Sequence, residues 1–411
     1  MQVYLVGGAV RDKLLDRQVL ERDWVVVGAT PAELEALGYK SVGRDFPVFL
    51  HPETHDEFAL ARLEKKVGPG YRGFITEYSP AVTLEDDLKR RDLTINAMAE
   101  DRDGNLIDPH GGQRDLAARV LRHVSAAFVE DPVRILRVAR FAARYAGLGF
   151  QVAAETRELM RQMVRAGEVD ALVPERVWAE TVRALAEPHP ERYLEVLRDC
   201  GALAVILPEL DALFGVPQPA KWHPEIDAGV HQLLALQQCV RLGGSERARF
   251  AVLMHDLGKG LTPPELWPAH RGHEETGAAL VDILCERLAV PNEFRQLALL
   301  ATRYHTHVHR AFELRPATLL ELLENCDALR RPDRFAEFLL VCEADARGRT
   351  GLEDTLYPQR AYVAAARRVA AAVTVDAAAR ADLSGAAIGE CLRKLRIDAL
   401  NEHKRTSARA L

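Results

Sequence analysis

The 411-residue chain has only six cysteines, at 200, 239, 285, 326, 342 and 391, and none belongs to a C-x-x-C pair. Such scatter argues against a structural zinc site and against a disulfide framework, and it fits a reducing compartment. Positive charge is not in excess either: the net charge is −6, with 28% charged residues. That balance is expected of a soluble protein and excludes nucleic-acid binding driven by global charge, so any RNA contact must use a local basic surface. No run of ~18 apolar residues occurs, and no charged leader precedes an apolar stretch, so the expectation is a cytoplasmic protein without a membrane span. Internal repeats and low-complexity tracts are missing too. What is there is enough chain for two or three domains with sizeable cores.

The most informative stretch is Tyr4-Leu5-Val6-Gly7-Gly8-Ala9-Val10-Arg11-Asp12, followed by Glu21-Arg22-Asp23-Trp24-Val25-Val26-Val27. An apolar run ends at a glycine pair and enters a segment of helical spacing, so Gly7 and Gly8 sit where a strand turns into a helix N-terminus. Without Cβ atoms they let backbone N–H groups approach an anion, and Arg11 lies one turn in to add a charge-assisted contact; Gly8 and Arg11 are thus candidate phosphate binders. Glu21 and Asp23 precede a second apolar run. At i and i+2 of a strand they project to one face and can hold Mg²⁺. A phosphate cradle beside a metal pair is the minimum apparatus for nucleotidyl transfer.

VGGAVRD, the acid-x-Asp pair in ERDW, LKRRDLTINAMA (88–99) and EDPVRILRVARFAARY (130–145) resemble the head of class II tRNA nucleotidyltransferases, the CCA-adding enzymes, which is shared with bacterial poly(A) polymerases. HDLGKG at 255–260 is similar to the motif of HD metal-dependent phosphohydrolases. The resemblance runs over nearly the whole chain. It departs at Glu21, where the family more often has Asp; glutamate is a competent ligand with a longer reach. The implied fold class is α+β: a small polymerase-beta-like nucleotidyltransferase head, a mixed sheet with helices, followed by an all-α neck, an HD region and a C-terminal helical region. The expected borders are 1–140 for the head, 141–222 for the neck, 223–330 for the HD domain and 331–411 for the remainder. The implied substrates are CTP, ATP and the tRNA 3′ end, in a monomer or homodimer.

Within the head, short strands at Val3 to Val6, Asp23 to Val27, Phe46 to His51 and Phe58 to Leu63 alternate with helical Ala9 to Leu15 and Pro31 to Leu37, which suggests a small sheet covered on one side. Glu57 is either a third carboxylate on a neighbouring strand or an exposed turn acid. Residues 64–75, rich in glycine and cations, form either a loop that approaches the RNA end or a plain solvent-exposed connection. Thr83 to Ala99 carries a helical pattern interrupted by Arg90, Arg91 and Asp92; Arg91 is expected on the triphosphate or ribose, with Asp92 orienting it. From Pro132 a helix is expected with Arg134, Arg137, Arg140 and Arg144 at helical spacing.

An untemplated enzyme must choose the base with its own side chains. Cytosine and adenine each present an amino donor beside a ring acceptor, which a carboxylate and a guanidinium match; G and U present a carbonyl and a ring N–H there and would meet like partners. Asp131 and Arg134 therefore look like the reading pair, as the family's EDxxR motif implies, leaving Arg137 and Arg140 for the triphosphate.

From 150 to 222 the pattern is helical, with no catalytic constellation. Histidine density then rises. His231, His255-Asp256, His273 and, downstream, Asp327 form a series of metal-compatible side chains on successive helices, with His305 a weaker candidate and Asp345 a rival to Asp327. This mix of imidazole and carboxylate suits a borderline transition metal that activates water; the resemblance to the HD family implies a metal such as Ni²⁺ and phosphatase, 2′,3′-cyclic phosphodiesterase or 2′-nucleotidase chemistry. The catalytic candidates are thus Glu21, Asp23, His255 and Asp256. Cation clusters at Arg360, Arg367-Arg368, Arg393-Lys394-Arg396 and Lys404-Arg405 are either tRNA phosphate contacts or solvated helix faces. Two alternatives remain: a poly(A) polymerase, disfavoured by the acidic balance and the HD motif, and an HD phosphohydrolase whose head only binds RNA, disfavoured by the intact Glu21 and Asp23.

Overall fold

The structure, a computed structural model, describes residues 1–42, 48–66, 74–376 and 385–407. The cationic loop anticipated at 64–75 falls largely on 67–73, outside the described residues. The chain forms two compact units, Met1–Ile206 and Leu207–Leu411.

The first unit is built on a seven-stranded sheet of order β3-β4-β5-β2-β1-β8-β9. Its strands are β1 (Gln2–Val6), β2 (Asp23–Val27), β3 (Lys40–Val42), β4 (Val48–Leu50), β5 (Glu57–Leu60), β8 (Ala99–Glu100) and β9 (Leu106–Ile107), while β6 (Arg62–Lys66) and β7 (Phe74–Tyr78) form a separate antiparallel ribbon. Only β2 and β5 pair in parallel within the sheet, with Asp23 opposite Glu57. Helix α1 (Gly8–Leu14) follows β1 directly, and α2 (Pro31–Ala36) starts at a capping box in which Thr30 and Glu33 satisfy each other's backbone N–H groups. Alternation along β2 sends Val26 to one face, with Val3, Leu34, Phe49, Phe58 and Leu60, and Val25 to the other, with Val6, Leu84, Leu88, Ala97 and Ala99. Both faces therefore carry an apolar cluster, not the single covered face the pattern suggested. Leu34 of α2 caps one, and α3 (Leu84–Lys89) caps the other.

The helical pattern of 83–99 also breaks earlier than expected. Helix α3 ends at Lys89 because the Asp92 carboxylate accepts from Leu93 N (2.8 Å) and Asn96 Nδ2 (3.0 Å), while Thr94 N donates to Arg122 O (2.9 Å). These bonds take the groups that would have continued the helix. After α4 (Gly112–Ala117), α5 (Val133–Tyr145) starts behind Pro132 and buries Ile135, Leu136, Val138 and Phe141 against α7 (Pro174–Ala186) and α8 (Glu191–Asp199), with α6 (Ala154–Arg165) preceding them. Each such fully buried side chain contributes roughly 1.5–3 kcal/mol. The expected border at 140 falls inside α5.

The second unit is helical. After α9 (Ala202–Ile206), the last helix of the first unit, come α10 (Pro208–Asp211), α11 (Ala228–Arg241), α12 (Glu246–Met254), α13 (His273–Arg287), α14 (Asn292–His309), α15 (Pro316–Asn325), α16 (Pro332–Arg347), α17 (Pro358–Ala372) and α18 (Gly385–Ser407). Asp227 and Ser245 cap α11 and α12 through Val230 N and Ala248 N. Almost wholly apolar on its buried residues, α12 packs against α11, α14 and α16, so the expected border at 330 separates α16 from helices it touches.

Candidate functional sites

In the first unit, the turn from β1 to α1 needs its first glycine twice over. Gly7 has φ +69°, and a Cβ there would lie 2.8 Å from Arg91 Nη1. Arg91 reaches this point because Asp87, wholly buried on α3, accepts from its Nη2 (3.1 Å) and from Arg90 Nη2 (2.6 Å). Asp87, not Asp92, thus orients Arg91. Asp92 instead accepts from Arg137 Nε at 2.7 Å, and its carboxyl, despite full burial, is held well below the usual carboxylate range by Arg137 and by the bonds from Asn96 and Leu93.

Asp23 opens β2 on the same face as Val25, the face that α3 covers. Its carboxyl is raised above the ordinary value by desolvation and by the nearby Glu21, against the attraction of Arg91. Glu21 and Asp23 are exposed, and so is Glu57, the β5 partner of Asp23. The structure therefore brings Gly7, Arg91 and Asp23 together, with Glu21 close by.

Arg11 folds back over the turn, its Nη2 3.3 Å from where a Cβ on Gly8 would lie. It is buried, bonds Asp12 Oδ1 (2.9 Å) and Asn96 Oδ1 (2.5 Å), and lies 5.3 Å from the ring centres of both Phe141 and Tyr145. Asp12 also accepts from Tyr145 Oη (3.1 Å), so α1 is tied to α5. On α5 the candidates are engaged as well. Asp131 caps Val133 N and receives both arms of Arg176, at 3.1 and 2.7 Å; Arg134 donates to Ala127 O; Arg140 bonds Glu180 at 2.7 Å. Arg176 and Glu180 lie one turn apart on α7, which supplies counter-charges to both. No local signal in the sequence points to either, since nothing ties residue 176 to residue 131.

The second unit holds a buried cluster. His231 from α11, His255 and Asp256 after α12, His273 opening α13, His305 from α14 and Asp345 from α16 form overlapping groups whose ligand atoms lie within 4.8 Å of one another. Three of the imidazoles are fixed alike: His255, His273 and His305 bond Val252 O, His270 O and Ala301 O through Nδ1, at 2.7, 2.9 and 2.9 Å. With Nδ1 carrying the proton, each Nε2 presents a lone pair, and all three Nε2 atoms point at Asp256, at 3.1, 3.2 and 3.6 Å. His255 Nε2, His273 Nε2 and Asp256 Oδ1 are buried without a hydrogen-bond partner. Orphaned polar atoms of this kind, meeting between the end of α12 and the start of α13, fit a cation.

Asp345 is the acid that belongs here. It lies 3.0 Å from His231 Nε2 and 2.6 Å from His309 Nε2. Asp327 does not reach the cluster: it follows α15 with φ +52° and bonds Arg330 Nε at 2.6 Å. Supporting groups that sequence reasoning passed over include Glu225, 3.1 Å from His231 Nδ1, and Tyr357, whose hydroxyl meets His309 Nδ1 at 2.8 Å. The cluster opens on a cavity of about 1200 Å³. Among the described residues, no helix is long and apolar enough to cross a membrane.

Residues 3–122 match the Poly A polymerase head domain family, 149–214 the family described as "Probable RNA and SrmB- binding site of polymerase A", and 230–347 the HD domain family. The chain is similar to the Multifunctional CCA protein of Thioalkalivibrio sulfidiphilus, at 62% identity over 98% of this chain and 99% of that one. With its namesake of Pseudomonas aeruginosa it shares 59% identity over the whole of both chains. Among solved structures, an apo CCA-adding enzyme superposes with TM-score 0.67 at 21% identity, over 100% of this chain and 91% of that one. The Thermotoga maritima CCA-adding enzyme complexed with tRNA gives 0.64 at 19%, over 98% and 91%. At these identities the structures show a shared fold.

Proposed function

The chain belongs to the family of multifunctional CCA proteins, and we propose that its head adds C, C and A to the 3′ end of tRNA from CTP and ATP while its HD cluster hydrolyses phosphate esters. The observation that carries the first part is the convergence of Gly7, Arg91 and Asp23 at one end of the sheet.

In this reading the Gly7–Gly8 turn and Arg91 hold the triphosphate, with Arg137 assisting. Asp92 engages Arg137 through Nε, and the side chain remains about one-third exposed, so its outer end faces incoming phosphate. Arg11 and Arg140, both buried, act chiefly by fixing α1 and α5. Glu21 and Asp23, two residues apart at the start of β2, would hold Mg²⁺. When bound, the ion stabilises charge on the attacking 3′-oxygen and the leaving pyrophosphate. Asp131, its plane fixed by Arg176, accepts from the amino group of C or A, and Arg134 donates to the ring acceptor.

In the HD cluster, His231, His255, Asp256, His273, His305 and Asp345 would hold a transition metal such as Ni²⁺, which supplies an activated water for attack on phosphorus. Phosphatase, 2′,3′-cyclic phosphodiesterase and 2′-nucleotidase chemistry are the activities of this class. The protein works in the cytoplasm, where tRNA matures, as a monomer or homodimer.

The test is incubation of tRNA lacking its last three, or last one, nucleotides with each NTP singly and in mixtures, followed by sizing of the products. Addition of two C with CTP, and one further A only when ATP is present, is expected. Long A tracts instead point to a poly(A) polymerase, and no extension points to a head that only binds RNA.

A further inference from the structure

We propose that Arg349 is the phosphate-binding residue of the HD cavity, a guanidinium set beside Asp345 to take two non-bridging oxygens of a phosphate ester; this rests on the phosphohydrolase reading above. The buried cluster offers carboxylates and imidazoles, groups suited to a cation. A phosphate ester arriving there brings negative charge of its own and needs a donor that is neither a ligand nor already committed.

Among the described residues, the cations lining the cavity are Lys259, Arg271, Arg310, Arg347 and Arg349. Lys259 is committed to Asp256 Oδ2 and Gln218 Oε1, each at 2.5 Å. Arg310 bonds Glu313 at 2.8 Å, Arg347 bonds Glu343 at 3.1 Å and Glu353 O at 2.8 Å, and Arg271 is exposed. Arg349 differs. Its side chain is 18% exposed, its Nη2 lies 3.8 Å from Asp345 Oδ1, and its Nε is buried with no hydrogen-bond partner. A guanidinium N–H withheld from water is costly unless something accepts from it, and phosphate matches the planar fork with two parallel bonds.

The backbone holds this arginine in place. Gly348 is pressed against α11, where a Cβ would lie 2.4 Å from Ala235 Cα, and its carbonyl accepts from His231 Nδ1 at 3.0 Å. One turn thus delivers the Asp345 carboxylate, the carbonyl that bonds His231, and, at i+4 from Asp345, the Arg349 guanidinium. A donor fixed this way loses little conformational freedom on binding.

The experiment uses full-length protein loaded with Ni²⁺: wild type, Arg349→Ala, Arg349→Lys and, as a control cation on the same cavity, Arg310→Ala. Bound metal is measured by elemental analysis and inorganic phosphate binding by calorimetry, together with KM and kcat for a phosphate monoester and with CCA addition as a check on folding. Arg349→Ala should keep its metal and its CCA addition and bind phosphate about 10- to 100-fold more weakly, with Arg349→Lys intermediate and Arg310→Ala near wild type. Phosphate affinity per bound metal within about threefold of wild type overturns the proposal. Loss of the metal from both Arg349 variants also overturns it, by making the residue a support for Asp345. A wild type that holds no metal and hydrolyses no ester fails the phosphohydrolase reading itself, a different result from a competent wild type with an unaffected variant.

Discussion

The charged groups of the two units stand in opposite states. In the head, the carboxylates at the start of β2 are exposed and the cations near them are engaged: Arg91 by Asp87, Arg137 by Asp92, Arg140 by Glu180. In the HD cluster the ligands are buried, and three of their polar atoms have no partner. A site that must admit and release a nucleotide and an RNA end leaves its carboxylates open to water. A site that keeps a cation is closed around it and stays electrostatically incomplete without it.

The contrast is broken most severely by removing one member of each set. Asp23→Ala should lower C and A addition by ~10²-fold or more while leaving HD hydrolysis unchanged. Transferase rates within about threefold of wild type would remove Asp23 from the metal pair.

His255→Ala, Asp256→Ala and Asp345→Ala should each release the HD metal and lose hydrolysis by at least ~10²-fold, as should chelation, with CCA addition spared. Asp327→Ala should retain metal and hydrolysis. Metal analysis of the four variants decides whether the acid of this cluster comes from α16.

That pair of aspartates shows where sequence reading stops. The turn from β1 to α1, the helix after Pro132 and the HD motif are legible because their signals are local: a glycine pair after an apolar run, proline at a helix start, apolar spacing. Asp327 and Asp345 are chemically identical in the sequence, and only the packing of α16 on α11 and α12 puts one in the cluster. The partner of Asp92 is Arg137, 45 residues away, and that of Asp131 is Arg176, also 45 away; no periodicity encodes either. The motif puts Arg91 on the triphosphate or ribose, but the buried Asp87 that aims it lies on the face of α3 that only the folded sheet defines.

A smaller effect tests base choice. Asp131→Ala and Arg134→Ala should change the preference for CTP and ATP over UTP and GTP by ~10–100-fold, whereas Arg137→Ala should weaken all four alike, since a triphosphate contact carries no base information. The measurement is kcat/KM for each NTP on both truncated tRNAs. Parallel losses in the first two variants with altered ratios in the third would reverse the roles assigned along α5.

The smallest expected change is in stability, at the pair that holds Arg137. The Asp92 carboxyl is depressed in the folded protein, so its contribution is fully present above the unfolded carboxylate pKa of about 3.9 and is lost as pH falls through the folded value. Breaking a fully buried pair costs ~3–5 kcal/mol, but Arg137 reaches solvent, which brings the expectation for Asp92→Asn down to about 1–2 kcal/mol near neutrality. Asparagine keeps the size and the bond to Leu93 N, but its amide nitrogen would face Arg137 Nε, so the charge and the acceptor for that N–H are removed together. The stability difference between wild type and variant, followed by urea denaturation, should therefore be constant from pH 7 to about 5 and shrink as the pH is taken below 4, where Asp92 of the unfolded wild-type chain takes up a proton that the folded carboxyl still refuses. A difference that grows toward acid would mean that the folded state favours protonated Asp92, and that Arg137 is held by packing on α5 instead of by this carboxylate.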